Sequence, residues 1–506
     1  MSKKKLAVII VPCVIAIIVL IVITSPWQPA PVAHTYTLTT HISPSGAGSI
    51  SPSGGEYGSG VEVTLTASPA NGYRFANWSG DVNAIADVGN VTTTITMNDD
   101  YSVTANFALE IIEIRDWYDL DAVRDNLGAS YRLVNDLDSA TAGYTELASE
   151  TANEGRGWEP IGTSDDEFAG SFDGQGHEIR DLFINRPDQD YVGLFAHVSW
   201  MHPIENVGIV ENIGVVHGNV TGNSRVGALV GHNAGIISNS YSVSRVTGEY
   251  WYIGGLVGYN DGGSVTDCYS TGNVTGHNYY VGGLVGHTTG TRTVREGAVS
   301  NCYSTSSVTG VTRVGGLVGS TLADVSVSNC YFAGSVTGRR WVGGLVAENY
   351  GGNVSSSYSA GNVTGYDKVG GLVGLNLWGA ISDCYNTGSV TGDHNVGGLV
   401  GGNELGAIKD SCSVGSVHGD SRTGGLIGYN EDGSVSNSFW DLVAGGIAVS
   451  AGGMGKTTAE TQNIVTFSEA GWNITAVVDP GTRNTTYTWN IVDGQAYPFL
   501  SWQPVS

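Results

Sequence analysis

The chain has 506 residues, 75 of them glycine, and only 14% of the chain is Asp, Glu, Lys or Arg. A length of this size is ordinarily divided into three or four domains, unless an internal repeat spends it on one elongated body. The formal net charge is -25, and residues 110–190 alone hold 20 acidic against 6 basic side chains, which excludes a nucleic-acid partner because that binding needs clustered Lys and Arg.

Lys3, Lys4 and Lys5 precede an apolar run from Leu6 to Ile23. Eighteen apolar residues are close to the minimum that spans a bilayer, and the lysines are expected to stay on the cytoplasmic side. Residues 1–23 are therefore expected to form a transmembrane anchor, with the rest of a single-pass protein facing outward, or a secreted protein if the segment is removed as a signal. Residues 24–34 hold three prolines and read as a semi-rigid spacer.

From residue 35 to 108 the texture changes to short alternating strands at Tyr36–Ile42, Val61–Thr66, Thr92–Met97 and Ser102–Phe107, separated by Ser-Pro-Ser-Gly turns. Gly72-Tyr-Arg-Phe-Ala-Asn-Trp-Ser-Gly80 and Met97-Asn-Asp-Asp-Tyr-Ser-Val-Thr-Ala-Asn-Phe107 resemble the divergent internalin-type B-repeat of bacterial surface proteins. The resemblance implies a small β-grasp-like stalk module without chemistry of its own.

Residues 109–190 are expected to supply an N-terminal cap and irregular first coils. Asp116–Leu127 is the helix candidate, with Asp116 as its cap and Gly128 as its stop. Residues 191–440 then repeat one phrase, V-G-G-L-V-G. It occurs at Val226–Gly231, Ile253–Gly258, Val281–Gly286, Val314–Gly319, Val342–Ala347, Val369–Gly374, Val396–Gly401 and Thr423–Gly428, with a frayed copy at Val192–Ala196. The copies start 27 to 34 residues apart, a period that marks a solenoid. Each period contains three β-prone pieces, V-G-G-L-V-G, V-S-N-C-Y-S and S-V-T-G, which predicts an all-β, right-handed parallel β-helix of about nine triangular coils stacked about 4.8 Å apart. Gly255-Leu-Val-Gly258, Asp267-Cys-Tyr-Ser270 and Gly272-Asn-Val-Thr-Gly276 resemble the GLUG repeat of bacterial envelope proteins, a family that spans adhesin-like and protease-associated members. The aromatic tail, residues 441–506, is similar to the closing segment of such proteins. It is expected to seal the last coil, with a helix from Thr458 to Ala470 capped by Thr458.

Several apparent catalytic motifs fail. Gly455-Lys-Thr457 lacks the glycine that a phosphate-binding loop needs at position 450, which is Ser450. The His177-Glu178 pair is followed four residues after the histidine by Asp181, so the H-E-x-x-H zinc motif is absent. His232 and His287 share an offset but lie two coils apart, too far to share a metal, and no cofactor or metal site is expected. Cys268, Cys302, Cys330, Cys384 and Cys412 occupy one slot of the repeat. Disulfides between neighbouring coils fit the stacking distance, but serine at the same slot elsewhere favours small buried thiols. The preceding Asn or Asp predicts a turn with stacked side chains, and Tyr269, Tyr303, Tyr331, Tyr358 and Tyr385 form a second ladder; which of the Cys and Tyr ladders faces the core stays open.

The residues just ahead of each V-G-G-L-V-G vary most. In-register stacking predicts one stripe of Arg225, Tyr252, Tyr280, Arg313, Trp341, Lys368, Asn395 and Arg422, with Trp251 beside it. Aromatic faces and cations on a charge-poor surface suit a glycan or a protein ligand, or else simply cover the corner between two strands. The expectation is an envelope-anchored, non-catalytic adhesion or surface-binding protein. The alternatives are a purely structural envelope component and a β-helix enzyme acting on acidic polysaccharide, for which Asp393 and Asp420 in adjacent loops are the carboxylates to test.

Overall fold

The structure is a computed structural model that describes residues 34–70, 72–201, 206–290 and 297–504. The expected anchor at 1–23, and the spacer up to residue 33, lie outside the described residues. No helix among the described residues is long and apolar enough to cross a membrane.

Two units divide the chain between Leu109 and Glu110. In the first, Thr35–Ser43 pairs in parallel with Tyr101–Leu109, and that strand pairs antiparallel with Tyr73–Gly80. Gly48–Ser51, Glu62–Pro69 and Thr92–Thr96 build a second, three-stranded sheet. Strict alternation places Val63, Leu65 and Ala67 on one side of their strand, where they join Leu38, Trp78, Ile95, Val103 and Phe107 in a common core. What the structure describes of the β-grasp-like expectation is two small sheets and a 3₁₀ turn at Val82–Ala84.

The second unit is a parallel β-solenoid with four strand-bearing sides, not the three of the triangular coil expected from the repeat. A stripe sheet of seven strands runs from Trp251–Gly254 to Ser421–Gly424, and an amide sheet of nine from Phe195–Val198 to Ile427–Glu431. A long sheet of twelve strands runs from Ile111–Ile114 to Ser434–Ser436. A tyrosine sheet of eighteen strands completes the wall, two short ones per coil except where Gly214–Gly222 and Tyr241–Gly248 each run unbroken. The nine strands of the amide sheet agree with about nine coils. The long sheet adds coils from residues 111–173, where the cap helix is short: Trp117–Asp121 is α-helical, Ala122–Asp125 is 3₁₀, and the Asp116 carboxylate accepts from the Tyr118 and Asp119 amides.

The fourth side exists because V-G-G-L-V-G is a corner and not a strand. The Leu256 and Val257 amides both donate to the Leu284 carbonyl at 3.0 Å, and Leu284 and Val285 repeat this on Leu317. Two successive amides aimed at one acceptor bend the chain inward, so six consecutive residues from Ile253 to Gly258 are buried. The glycines permit the close approach. A Cβ on Gly283 would lie 1.9 Å from the Gly316 carbonyl oxygen, and one on Gly254 would lie 2.0 Å from that of Val257. The corner leucines Leu256, Leu284, Leu317, Leu345, Leu372, Leu399 and Leu426 are fully buried.

A buried amide ladder runs inside the amide sheet. Asn349 Nδ2 donates to Asn376 Oδ1, Asn376 to Asn403 and Asn403 to Asn430, at 2.7–2.8 Å, and each also donates to a glycine carbonyl three residues on. The ladder expected at the turn before cysteine is only fragmentary, with Asn329 donating to Asn301 and Asn437 to Asp410. That turn serves a different purpose. Asp267, Asn301, Asn329 and Asp383 adopt positive φ, which turns the next residue inward. Cys268, Cys302, Cys330 and Cys384 consequently sit in the core as free thiols, and Tyr269, Tyr303, Tyr331, Tyr358 and Tyr385 stack outside at 4.8–5.1 Å between centroids. Cys412 does not share that inward slot, contrary to the sequence reading: it pairs with Tyr385 and stands in the tyrosine ladder. Ser411 takes the inward place of cysteine, because this coil reads Asp-Ser-Cys where the one before reads Asp-Cys-Tyr. Burial pushes the Cys412 thiol up to about 12, so it stays protonated.

The tail does more than seal the last coil. Trp440 closes the core over Gly425, but Phe467, Trp472, Trp489 and Leu500 fold back along the solenoid and bury Tyr358, Tyr385 and Phe439. Trp489 Nε1 donates to Asp383 Oδ1, and Trp502 Nε1 to the Ser356 carbonyl. The expected helix is two short ones, Thr458–Thr461 and Ile464–Glu469, and the cap is Thr457, in a reciprocal box with Glu460.

Candidate binding surface

Seven residues just ahead of the corner, Tyr252, Tyr280, Arg313, Trp341, Lys368, Asn395 and Arg422, each have φ between 49° and 64°. Arg225 and Tyr191 continue the series in the earlier coils. At these positions the ladder is interrupted without a shift of register, since Trp251 pairs with Tyr279 and Ile253 with Val281 while Tyr252 and Tyr280 are both left out of the pairing. The coils of the stripe sheet therefore share a left-handed kink at the same point. The kink points two neighbours outward, for example Trp251 and Tyr252, before Ile253 turns in.

The expected stripe is thus contiguous over most of its length. Arg225 lies over the Tyr191 ring at 4.7 Å and over Tyr252 at 5.4 Å, and Tyr252 meets Tyr280 at 5.1 Å. Arg313 is held between Tyr280 and Trp341 at 4.7 and 4.0 Å, and Lys368 Nζ lies 5.9 Å from Trp341. Asn395 leaves the stack to donate to Asp367, and Arg422 lies over Tyr429.

Most of this row is not free surface. It lies against a second row on the amide sheet, His197, His232, Tyr259, His287, Ser320, Glu348 and Leu375, whose members stand in register. Tyr252 stacks on Tyr259 and on His287, at 5.1 and 4.9 Å. Arg313 Nε donates to the buried Glu348 carboxylate at 2.5 Å, and Lys368 Nζ to Glu404 at 2.5 Å. His287 donates to the Ser320 carbonyl, and burial holds its pKa down at about 4. Covering the corner is accordingly what Tyr252, Tyr280, Arg313 and Lys368 do in the folded chain.

The exposed face belongs to the residues one and two positions earlier. Trp251 is 47% exposed, Tyr250 52% and Tyr279 39%, and they adjoin the half-buried Tyr252 and Tyr280. Three coils further on, Arg339, Arg340, Tyr366, Asp367, His394, Ser421 and Arg422 line a shallow open depression. Arg340 faces Asp367 at 3.6 Å, whereas among the described residues Arg339 and Arg422 have no carboxylate at ion-pair distance. Asp393 and Asp420 stand in adjacent coils beside this depression, with the Asp420 amide donating to the Asp393 carbonyl. Sequence reading placed Trp251 beside the stripe but passed over Tyr250, Tyr279, Arg339 and Arg340. Their signal was present, since each lies one or two positions ahead of a stripe residue; what was missing was the left-handed kink that turns two neighbours out together.

Residues 36–111 match the family described as a divergent InlB B-repeat domain, and residues 249–275, 277–309 and 367–391 match the GLUG motif. The chain is 37% identical over 152 residues to Halomucin of Haloquadratum walsbyi, covering 29% of this chain and 2% of that protein. It is 37% identical over 122 residues to a protein of Evansella cellulosilytica described as a candidate Gly-rich membrane protein, covering 24% of this chain and 13% of the relative. The chain therefore spans only a small part of these curated relatives. A solved Bacteroides ovatus structure described as a candidate immunoglobulin A1 protease aligns at TM-score 0.35 and 16% identity, over 78% of this chain and 92% of that one. A second, named IgA1 Protease, aligns at TM-score 0.31 and 13% identity, over 81% of this chain and 29% of that one.

Proposed function

We propose that this chain, which carries a divergent InlB B-repeat domain and GLUG motifs, is a non-catalytic surface protein that binds glycan along the exposed edge of its stripe sheet. The observation that carries the reading is the exposed cluster Tyr250, Trp251 and Tyr279, held on a stacked and ion-paired second layer. Rings kept open to solvent at successive coils give flat apolar platforms about 5 Å apart, and the kinked backbone beside them limits their freedom before a ligand arrives. Arg339 and Arg422, beside the same edge, favour a sugar that bears carboxylates. The first similarities, to Halomucin and to a Gly-rich membrane protein, are consistent with display at a cell surface, where such a ligand is met.

The test is a glycan array probed with the full chain. Retention of uronate-bearing or other acidic glycans is expected, and no retention of any glycan by folded protein would overturn the reading. Incubation with a panel of polyuronides separates binding from cleavage: intact products are expected, and chain shortening that disappears in Asp393→Asn with Asp420→Asn would replace this reading with an enzymatic one.

A further inference from the structure

The amide sheet carries one local departure from its own repeat. Along its outward column the residues are His197, His232, Tyr259, His287, Ser320, Glu348, Leu375, Gly402 and Tyr429, so only the first two coils bring histidines into consecutive register. His197 Nδ1 and His232 Nδ1 lie 3.2 Å apart. Glu167 reaches the pair from the preceding coil, because the Phe168 amide donates to the His197 carbonyl, and its Oε1 lies 3.7 Å from His197 Nδ1. All three ligand atoms lie within 4.8 Å of one another.

We propose that Glu167, His197 and His232 form a binding site for a divalent cation of the zinc class. Zn–N distances of about 2.0–2.1 Å and a tetrahedral angle put two ligand atoms roughly 3.3–3.4 Å apart, the separation the two Nδ1 atoms already show. Two imidazoles and a carboxylate are the ligand set of a borderline cation, with a fourth position left for water. The surrounding groups support the same assignment. His232 Nε2 lies 3.7 Å from Asp261 Oδ2, a carboxylate on the side where a ligating imidazole presents the N–H of its other nitrogen. The Tyr191 ring packs on His197 at 4.2 Å and fixes its plane. His197 is buried and its Nε2 has no hydrogen-bond partner, so the Tyr191 ring and not an outer hydrogen bond sets its orientation. Glu167 and Asp261 face the pair, and the neighbouring Arg225 is itself paired with Asp190 at 3.6 Å, which leaves two negative charges for a dication to neutralise. Glu167 is a quarter exposed and gives the ion its way in.

The experiment is calorimetric titration of zinc chloride into the full chain, prepared without a polyhistidine tag, together with the visible absorption spectrum of the cobalt(II)-loaded protein. One zinc per chain and a cobalt spectrum of tetrahedral intensity are expected. Glu167→Gln, at the partly exposed ligand, and His232→Gln are each expected to weaken zinc at least 10-fold. Asp261→Asn is expected to weaken it about 10- to 100-fold, the usual effect of losing an outer carboxylate. His277→Gln, an exposed histidine paired with Glu249, is the control and should bind as the parent does. Circular dichroism confirms folding of each variant. A folded parent that takes up no stoichiometric zinc would overturn the site, as would zinc binding that Glu167→Gln and His232→Gln leave unchanged; either result makes the histidine contact a plain hydrogen bond.

Discussion

Tyr252, Tyr280, Arg313, Trp341 and Lys368 are bulky residues held at positive φ, where each costs on the order of 1 kcal/mol. Such a backbone persists only where its surroundings determine it, and here the determinants are ring stacking and buried ion pairs. The Glu348 carboxylate is buried, is bonded by Arg313, and accepts from Ser320 Oγ at 3.0 Å. Arg313→Ala should therefore cost about 3 kcal/mol in chemical denaturation, because it strands a buried charge, while Arg313→Ala combined with Glu348→Ala should cost clearly less than the sum of the two single changes. Additive losses would show that the pair is not coupled. His287 gives a pH signature. Its neighbours are Tyr252, Tyr259, Tyr280, Arg313 and Asp261, and its folded pKa of about 4 lies below the unfolded value near 6.5. A depressed histidine contributes stability that is present above pH 6.5 and lost as the pH falls toward 4. Denaturation midpoints of His287→Gln should fall less steeply than those of the parent over this window, and parallel curves would contradict the assignment. The composition of the stripe was legible in the sequence, because period and offset alone aligned it. Its half-burial was not, because nothing in Arg-Arg-Trp or Tyr-Asp-Lys announces a left-handed kink.

Among the elements, the corner governs the coil. V-G-G-L-V-G was legible as a repeating scaffold with glycines for close approach, but was read as one strand; a run of β-prone residues gives no sign that two successive amides share one acceptor. Gly316 illustrates the consequence, since a Cβ there would lie 2.0 Å from the Gly344 carbonyl oxygen and 2.4 Å from the Phe332 ring. Gly316→Ala should lower the melting temperature by several degrees, whereas Gly128→Ala, whose Cβ would meet nothing nearer than 4.0 Å, should change it little. Equal effects at the two sites would mean that the tight corner is not what limits substitution. The amide ladder escaped sequence reading for a related reason. Asn349, Asn376, Asn403 and Asn430 sit at the far end of the amide strands, past the phrase that drew the eye, and polar residues beside glycine read as ordinary turns. The alternative of Cys or Tyr facing inward, left open by alternation, is settled by the positive φ of the residue before cysteine.

At the scale of the molecule, a solenoid is stabilised coil by coil, so its two ends and its long edge carry different duties. The tail guards one flank: Phe467, Trp472 and Trp489 bury the last tyrosines of the ladder, and a chain ending at Asp441 would expose them. The stripe sheet's edge is left to solvent, and its exposed rings are set on a layer that needs no ligand for its own stability. Period and coil count were available from the sequence because every coil repeats them, whereas the number of sides to a coil was not. The exposed site was less so, because it lies where the repeat varies and its side chains are aimed by a backbone the sequence does not display. The most direct measurement is the affinity of the full chain for the strongest glycan found on the array, compared with that of Trp251→Ala combined with Tyr279→Ala, with melting temperature measured alongside. Loss of affinity of 10-fold or more at an unchanged melting temperature is the predicted result. Undiminished affinity in the double variant would contradict the assignment of this edge as the binding surface.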